Sequence, residues 1–243
     1  MSINAIAPAA GASAALSLEE FARVNDRRAS AYAFLSRLFI REVDQDLLDE
    51  MRAMRFPAKS GSDHADEGAH LITGYLSNVW EDSLRELAID YVHTFIGSGM
   101  DAFSAAYPYE SVYTSPRRLM MQEARDEVLA IYRSEGLDKA VSWKESEDHI
   151  AAECSFMSIL ATRSAEALRA GDEGAAARLL RVQRSFLEDH LHAWAGMMTA
   201  DMRAFARTDF YRGLASYADG VLEADLELLA GVLGPEGSEL EGA

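Results

Sequence analysis

Apolar side chains recur every three to four positions along most of this chain, a spacing that predicts amphipathic helices. Ser17-Leu18-Glu19-Glu20 has the form of a capping box, in which the serine hydroxyl accepts a backbone N–H and the glutamate reaches back. Behind it, Leu18, Phe21, Val24, Tyr32, Leu35, Leu38 and Phe39 keep the rhythm, so a first helix is expected to about Ile40. Residues 46–56 read as a short second helix closed by Pro57, and 59–68 as a polar loop. Leu84, Leu87, Tyr91 and Phe95 carry the helical rhythm on to Gly97.

Residues 97–115 then interrupt it. They carry Gly97, Gly99 and Pro108 with little periodicity, and a structureless connection of this length in a compact domain is usually functional or disordered. Aromatic content argues against disorder. The next helix is expected to start at Ser115-Pro116, where proline loses no needed hydrogen bond, and to stop near Gly136. Three long helical segments follow at 150–170, 175–206 and 210–233, the second broken near Gly196. There is no β-alternation, no sustained heptad pattern and no fixed-period repeat. The expected fold class is all-α, a single bundle of eight to ten helices over 17–233, between a flexible tail at 1–16 and an acidic tail at 234–243.

With 243 residues, 49% of them hydrophobic, the chain can bury a sizeable core. Aspartate and glutamate outnumber lysine and arginine 40 to 23, and the formal charge of −17 repels nucleic acid and anionic membranes while favouring a basic partner. The single cysteine, Cys154, rules out an intramolecular disulfide and suits a reducing compartment; it reads as a small buried apolar residue. The first sixteen residues lack the parts of a secretory signal, and no stretch reaches the roughly 20 apolar residues of a membrane span. A cytoplasmic protein is expected. From Gly213 to Ala243 there are seven carboxylates and no lysine or arginine, the pattern of a solvated face and tail.

Two constellations carry candidate chemistry. Tyr107-Pro108-Tyr109-Glu110-Ser111-Val112-Tyr113-Thr114 holds three tyrosines and a carboxylate; broad rings with polar tips suit peptide recognition, or equally pin the loop to the bundle. Glu145-Ser146-Glu147-Asp148-His149 would cap a helix starting near Ser146, and its acidity would also accept arginine side chains of a partner. His149 and Glu153 share a helix face with Asp148 nearby, which leaves a metal-dependent or hydrolytic enzyme as a competing reading. Against it, the only Glu-x-x-His spacing is Glu67 to His70, so no di-iron set is complete. His190 and His192 point to different sides of a helix and read as surface or cap residues. No phosphate loop, nucleophile elbow or dinucleotide fingerprint occurs, so no catalysis, metal or cofactor is expected. An unrelated helical interaction module is the remaining alternative.

An ordered series of fragments carries a resemblance: Asp90-Tyr91-Val92-His93-Thr94-Phe95-Ile96-Gly97-Ser98-Gly99, Pro108 to Tyr113, Leu119-Met120, Tyr132-Arg133-Ser134-Glu135-Gly136-Leu137, and Glu145 to His149 with Glu153 and Phe156-Met157. Phe186-Leu187-Glu188-Asp189-His190-Leu191 and Phe210-Tyr211-Arg212-Gly213-Leu214 continue it. Together they resemble the TorD/DmsD/NarJ superfamily of redox-enzyme maturation chaperones. Ser146 stands where the family's E-P-x-D-H has proline, and Gly97-Ser98-Gly99 replaces its Gly-Pro-Gly. The resemblance implies a helical chaperone that binds the catalytic subunit of a molybdopterin oxidoreductase, often at its twin-arginine leader, assists cofactor insertion and delays export. It implies a peptide-binding surface of Tyr109, Glu110, Ser111, Tyr113, Glu145, Asp148 and His149. It extends to weak guanine-nucleotide binding, as proposed for relatives, and leaves monomer against domain-swapped dimer undecided. The two constellations meet only if the chain doubles back, since a helix from Pro116 to Glu135 would hold them roughly 30 Å apart.

Overall fold

The computed structural model describes residues 16–54, 59–97 and 104–234. In chain order its α-helices are α1 Leu18–Ile40, α2 Gln45–Ala53, α3 Asp63–Ser77, α4 Ser83–Tyr91, α5 Glu110–Thr114, α6 Glu123–Ser134, α7 Ile150–Arg169, α8 Glu173–Phe186, α9 His192–Phe205 and α10 Asp209–Leu233. A π-helical turn, Val92–Ile96, extends α4, and another, Leu187–Leu191, joins α8 to α9. Among the described residues the fold is all-α, with no strand and one isolated backbone bridge, and no helix is long and apolar enough to cross a membrane.

The capping box forms as its sequence dictates: the Glu20 N–H donates to Ser17 Oγ at 3.2 Å, and the Ser17 N–H donates to Glu20 Oε2 at 2.8 Å. From that start α1 runs along α7, tied by Ser36 Oγ to the Ala151 carbonyl at 2.7 Å and Ser158 Oγ to the Ala29 carbonyl at 2.8 Å. Between the helices lies one apolar core whose largest fully buried side chains include Trp194, Tyr32, Tyr211, Phe39, Phe186 and Phe210. Cys154 is buried and free, as expected of it.

Four expectations about the elements are corrected. Most of the 59–68 stretch is the first part of α3, whose buried face is Ala65, Gly68, Ala69, Ile72 and Leu76. That stripe is made of small residues because α10 lies against it: a Cβ on Gly220 would overlap the Ala65 backbone, and one on Gly68 would reach within 2.6 Å of the Gly213 carbonyl oxygen. The helix expected from Pro116 begins only at Glu123, after a turn in which Arg118 (φ 52°) and Met121 (φ 56°) are left-handed, a conformation that ends an α-helix. The break expected at Gly196 is instead the π turn at 187–191; Gly196 sits inside α9 with open space around it. The start near Ser146 that the capping argument supposed is not taken: the helix begins at Ile150, as the 150–170 segment reads, with His149 as its N-cap.

The acidic C-terminal face is also not wholly solvated. Asp225 is 5% exposed and receives a paired hydrogen bond from Arg28, whose Nη2 is 2.9 Å from Oδ2; Tyr32 OH donates to the same oxygen at 2.7 Å. Pro57, Ser98, Gly99, most of the tail 1–16 and residues 235–243 lie outside the described residues.

Candidate functional site

The chain does double back. The Pro108 carbonyl accepts the Ile150 N–H at 2.9 Å and the Asp148 carbonyl accepts the Glu110 N–H at 2.9 Å, making an antiparallel bridge between Tyr109 and His149. Two features allow this. The helix between the constellations is α6, of 12 residues, shorter than expected by the length of the 115–122 turn. The 135–149 segment then returns along it, fixed by Tyr132 OH donating to the Glu147 carbonyl at 3.1 Å.

Asp148 is the hub. Fully buried, its Oδ2 accepts Ser111 Oγ at 2.5 Å and the Ser111 N–H at 3.1 Å, while Oδ1 accepts Ser146 Oγ at 2.5 Å. Ser111 Oγ in turn accepts the Gln122 N–H at 3.1 Å, so the hub also holds the end of the 115–122 turn. Ser146, in the place of the family's proline, thus brings a hydroxyl to Asp148. His149, 2% exposed, caps α7: its Nδ1 accepts the Ala151 N–H at 3.0 Å, and burial lowers its pKa to about 4, so the ring is neutral as an acceptor must be. The Tyr109 ring stands edge-on to it at 5.0 Å.

Glu147, expected as a cap, instead binds Arg125 Nε at 2.7 Å and Lys139 Nζ at 3.1 Å. Burial raises its pKa, but those cations outweigh it and hold the carboxyl below its ordinary value. Glu110, 3% exposed, faces His190 Nδ1 at 3.2 Å. Burial disfavours a charged His190, yet the hydrogen bond and charge of Glu110 prevail and its pKa is raised. His190 is therefore a buried partner of the first constellation, not a surface or cap residue; its place in the Phe186 to Leu191 fragment was the sequence signal for it. Glu153 is fully buried, and burial followed by the charge of Glu110 pushes its pKa well up. Its Oε2 accepts Trp194 Nε1 at 3.1 Å, and Oε1 has no partner among the described residues.

Of the seven residues singled out, Glu110, Ser111, Asp148 and His149 are thus buried, and Tyr109, Tyr113 and Glu145 are partly exposed. Tyr109 OH donates to Glu145 Oε2 at 2.5 Å, with burial, then Glu145, keeping the phenol protonated far above neutral pH. Tyr113 stacks on Trp194 at 5.6 Å and donates to Asp201 at 3.0 Å. Together the constellations pin the loop, the first leaving the Tyr109 and Tyr113 rings and the second the Glu145 carboxylate partly exposed. The metal set Asp148, His149 and Glu153 is not assembled: each has separate protein partners, and among the described residues no three His, Cys, Asp or Glu are grouped to hold a metal.

The profile of the family described as nitrate reductase delta subunit matches residues 58–200. The chain is also similar to proteins named Chaperone protein TorD. It is 24% identical to that of Photobacterium profundum over 220 residues, covering 88% of this chain and 99% of that one. To that of Aliivibrio salmonicida it is 24% identical over 222 residues, covering 88% and 100%. To that of Vibrio cholerae it is 26% identical over 219 residues, covering 87% and 96%.

Proposed function

The chain belongs to the nitrate reductase delta subunit family, within the TorD/DmsD/NarJ superfamily, and from that premise we propose that it is a cytoplasmic, non-catalytic maturation chaperone. Its client is the catalytic subunit of a molybdopterin oxidoreductase, bound through the leader peptide, so that cofactor insertion precedes export. The observation that carries this reading is the union of the two constellations: Asp148, Ser111 and His149 hold a rigid base, and Tyr109, Tyr113 and Glu145 stand at its surface. A preorganised aromatic and acidic surface suits a peptide with both apolar and basic residues, because little ordering entropy remains to be lost on binding. The formal charge of −17 adds long-range attraction for a basic leader.

Affinity capture of the tagged chain from its own cell extract tests the client, which should be a molybdopterin oxidoreductase subunit. Titrating that subunit's leader into the Tyr109→Ala and Glu145→Gln variants, with folding verified by circular dichroism, should show affinity lower by about tenfold. Capture of no such subunit, or a leader without measurable affinity for the wild type, would sink the reading.

A further inference from the structure

Beneath Tyr113 runs a line of buried groups that the peptide surface does not expose. The Tyr113 ring, carried by α5, stacks on Trp194 of α9 at 5.6 Å, and Trp194 Nε1 donates to Glu153 Oε2 of α7 at 3.1 Å. Trp194 and Glu153 are both fully buried, and Glu153 Oε1 makes no hydrogen bond among the described residues. Several groups face this carboxyl: Glu110 from α5, Asp148 from the segment before α7, Tyr132 from α6 and Cys154 from α7 itself. The imidazole of the cluster, His190 of the 187–191 π turn, faces Glu110 at 3.2 Å, and among the described residues Glu153 has no ion pair. Glu127 and Asp189 add negative charge around His190.

Ionising both of two neighbouring buried carboxyls served by one imidazole is costly, because like charges repel and each loses its hydration. The proton falls to Glu153, the carboxyl without a cation. Its Oε2 already accepts the indole N–H, so the proton sits on Oε1, the oxygen that otherwise lacks a partner. Burial, followed by the charge of Glu110, favours that neutral form well above the ordinary carboxyl range.

We propose that this proton is linked to the peptide surface: a cationic peptide seated over Tyr113 and Glu145 drives it from Glu153, so that binding and proton release form one equilibrium. The Oε1–H bond breaks, its electron pair stays on the carboxylate, and the proton passes to the solvent. The new charge then faces the peptide through the Trp194 and Tyr113 rings. Unit charges about 10 Å apart at an effective dielectric of about 20 attract enough to move a proton equilibrium roughly tenfold. Because the ligand favours the deprotonated acid, affinity rises with pH through the Glu153 titration and is lowest where the proton is kept. His190, whose pKa is raised, also sheds protons toward a cation, whereas His149, neutral above about 4, does not. The inference rests on the leader-binding reading and adds how that surface is regulated, through Glu153 and Trp194 as positioning residues beneath it.

The test titrates a synthetic peptide, two adjacent arginines followed by a leucine-rich stretch, into the full chain by calorimetry in two buffers of different ionisation enthalpy. Wild type is compared with Glu153→Gln, whose amide still accepts the Trp194 N–H and offers an N–H to Glu110, with folding verified by circular dichroism. Between about pH 6 and about pH 8.5, wild type should release a fraction of a proton per peptide bound, with affinity rising up to about tenfold. Glu153→Gln should release only what His190 contributes, and its affinity should change little with pH. Without peptide, Trp194 emission in a Trp80→Phe/Trp143→Phe background should titrate with pH, and adding Glu153→Gln should remove that titration. Equal proton release by wild type and Glu153→Gln, or heats independent of buffer, would overturn the linkage and leave peptide binding intact. A Trp194 emission indifferent to pH would show that Glu153 holds no exchangeable proton, which overturns it as well. No binding of the peptide at any pH would overturn both the linkage and the leader-binding reading.

Discussion

Where α3 crosses α10, two backbones touch through Gly68, Gly213 and Gly220; where 108–111 meets 146–150, buried serines, a histidine and carboxylates satisfy one another. The first contact depends on the absence of atoms, with charge only around it: His64 on α3 faces Glu223 on α10 at 2.9 Å, and Arg28, Asp225 and Tyr32 cluster between α1 and α10. The second depends on the presence of particular polar atoms. Small-residue seams resist enlargement, and buried polar hubs resist truncation, because an orphaned buried donor costs the full desolvation of that group. The hub continues outward into the partly exposed Tyr109 and Glu145, so it is the region where the fold and the proposed surface share residues.

Each side of that contrast can be broken separately. Asp225→Ala should have the largest effect, about 4 kcal/mol in urea unfolding, because it leaves Arg28, 8% exposed, as an unpaired buried cation. Gly220→Ala should cost about 3 kcal/mol by overlapping the Ala65 backbone, seen as a lower melting temperature, and a loss under about 1 kcal/mol would mean the seam can shift apart. Asp148→Ala should cost about 2 kcal/mol by orphaning Ser111 and Ser146, so a substitution at Asp148 acts on the fold before it acts on any ligand.

Acid should weaken the hub through His149. His149 has its folded pKa depressed to about 4 from 6.5, so the unfolded chain binds the extra proton between those values and stability falls with pH across that window. Going from pH 7 to about pH 5.5 should remove about 1 kcal/mol through this residue, and His149→Asn, which retains a cap, should remove that part of the pH dependence. His190 works in the opposite sense: its raised pKa contributes stability fully present below 6.5 and lost as pH rises through the folded value. His190→Gln should therefore remove the stability gained as pH falls toward 6.5; an unchanged profile there would place His190 outside the titration. The smallest effect, about 1 kcal/mol, is expected for Tyr109→Phe, which removes one partly exposed hydrogen bond to Glu145.

How far the sequence was legible follows the same contrast. α1, α7 and α10 were readable because large apolar residues recur on one face and Ser17 and Glu20 mark a start by local chemistry. α3 was not, because its buried stripe of Ala65, Gly68 and Ala69 carries little hydrophobic signal. Its helix exists for the sake of close approach to α10, a partner about 150 residues further along the chain. The π turn at 187–191 was unreadable for a related reason: its residues are individually helix-compatible, and the wider winding puts His190 opposite Glu110.

At the site, residue types and order alone marked Tyr109, Glu110, Ser111, Tyr113, Glu145, Asp148 and His149 and the family to which the chain belongs. Tertiary structure alone decided which of these lie inside and which face water, and it brought in His190, Arg125, Lys139 and Trp194. The physical reason is one of range. Periodicity, caps and charge are properties of neighbours within a turn or two, whereas a carboxylate becomes a hub, a cap or a ligand site according to which donors a distant segment carries to it. Asp148 is acidic by its sequence, but it became structural only when Ser111 returned to meet it.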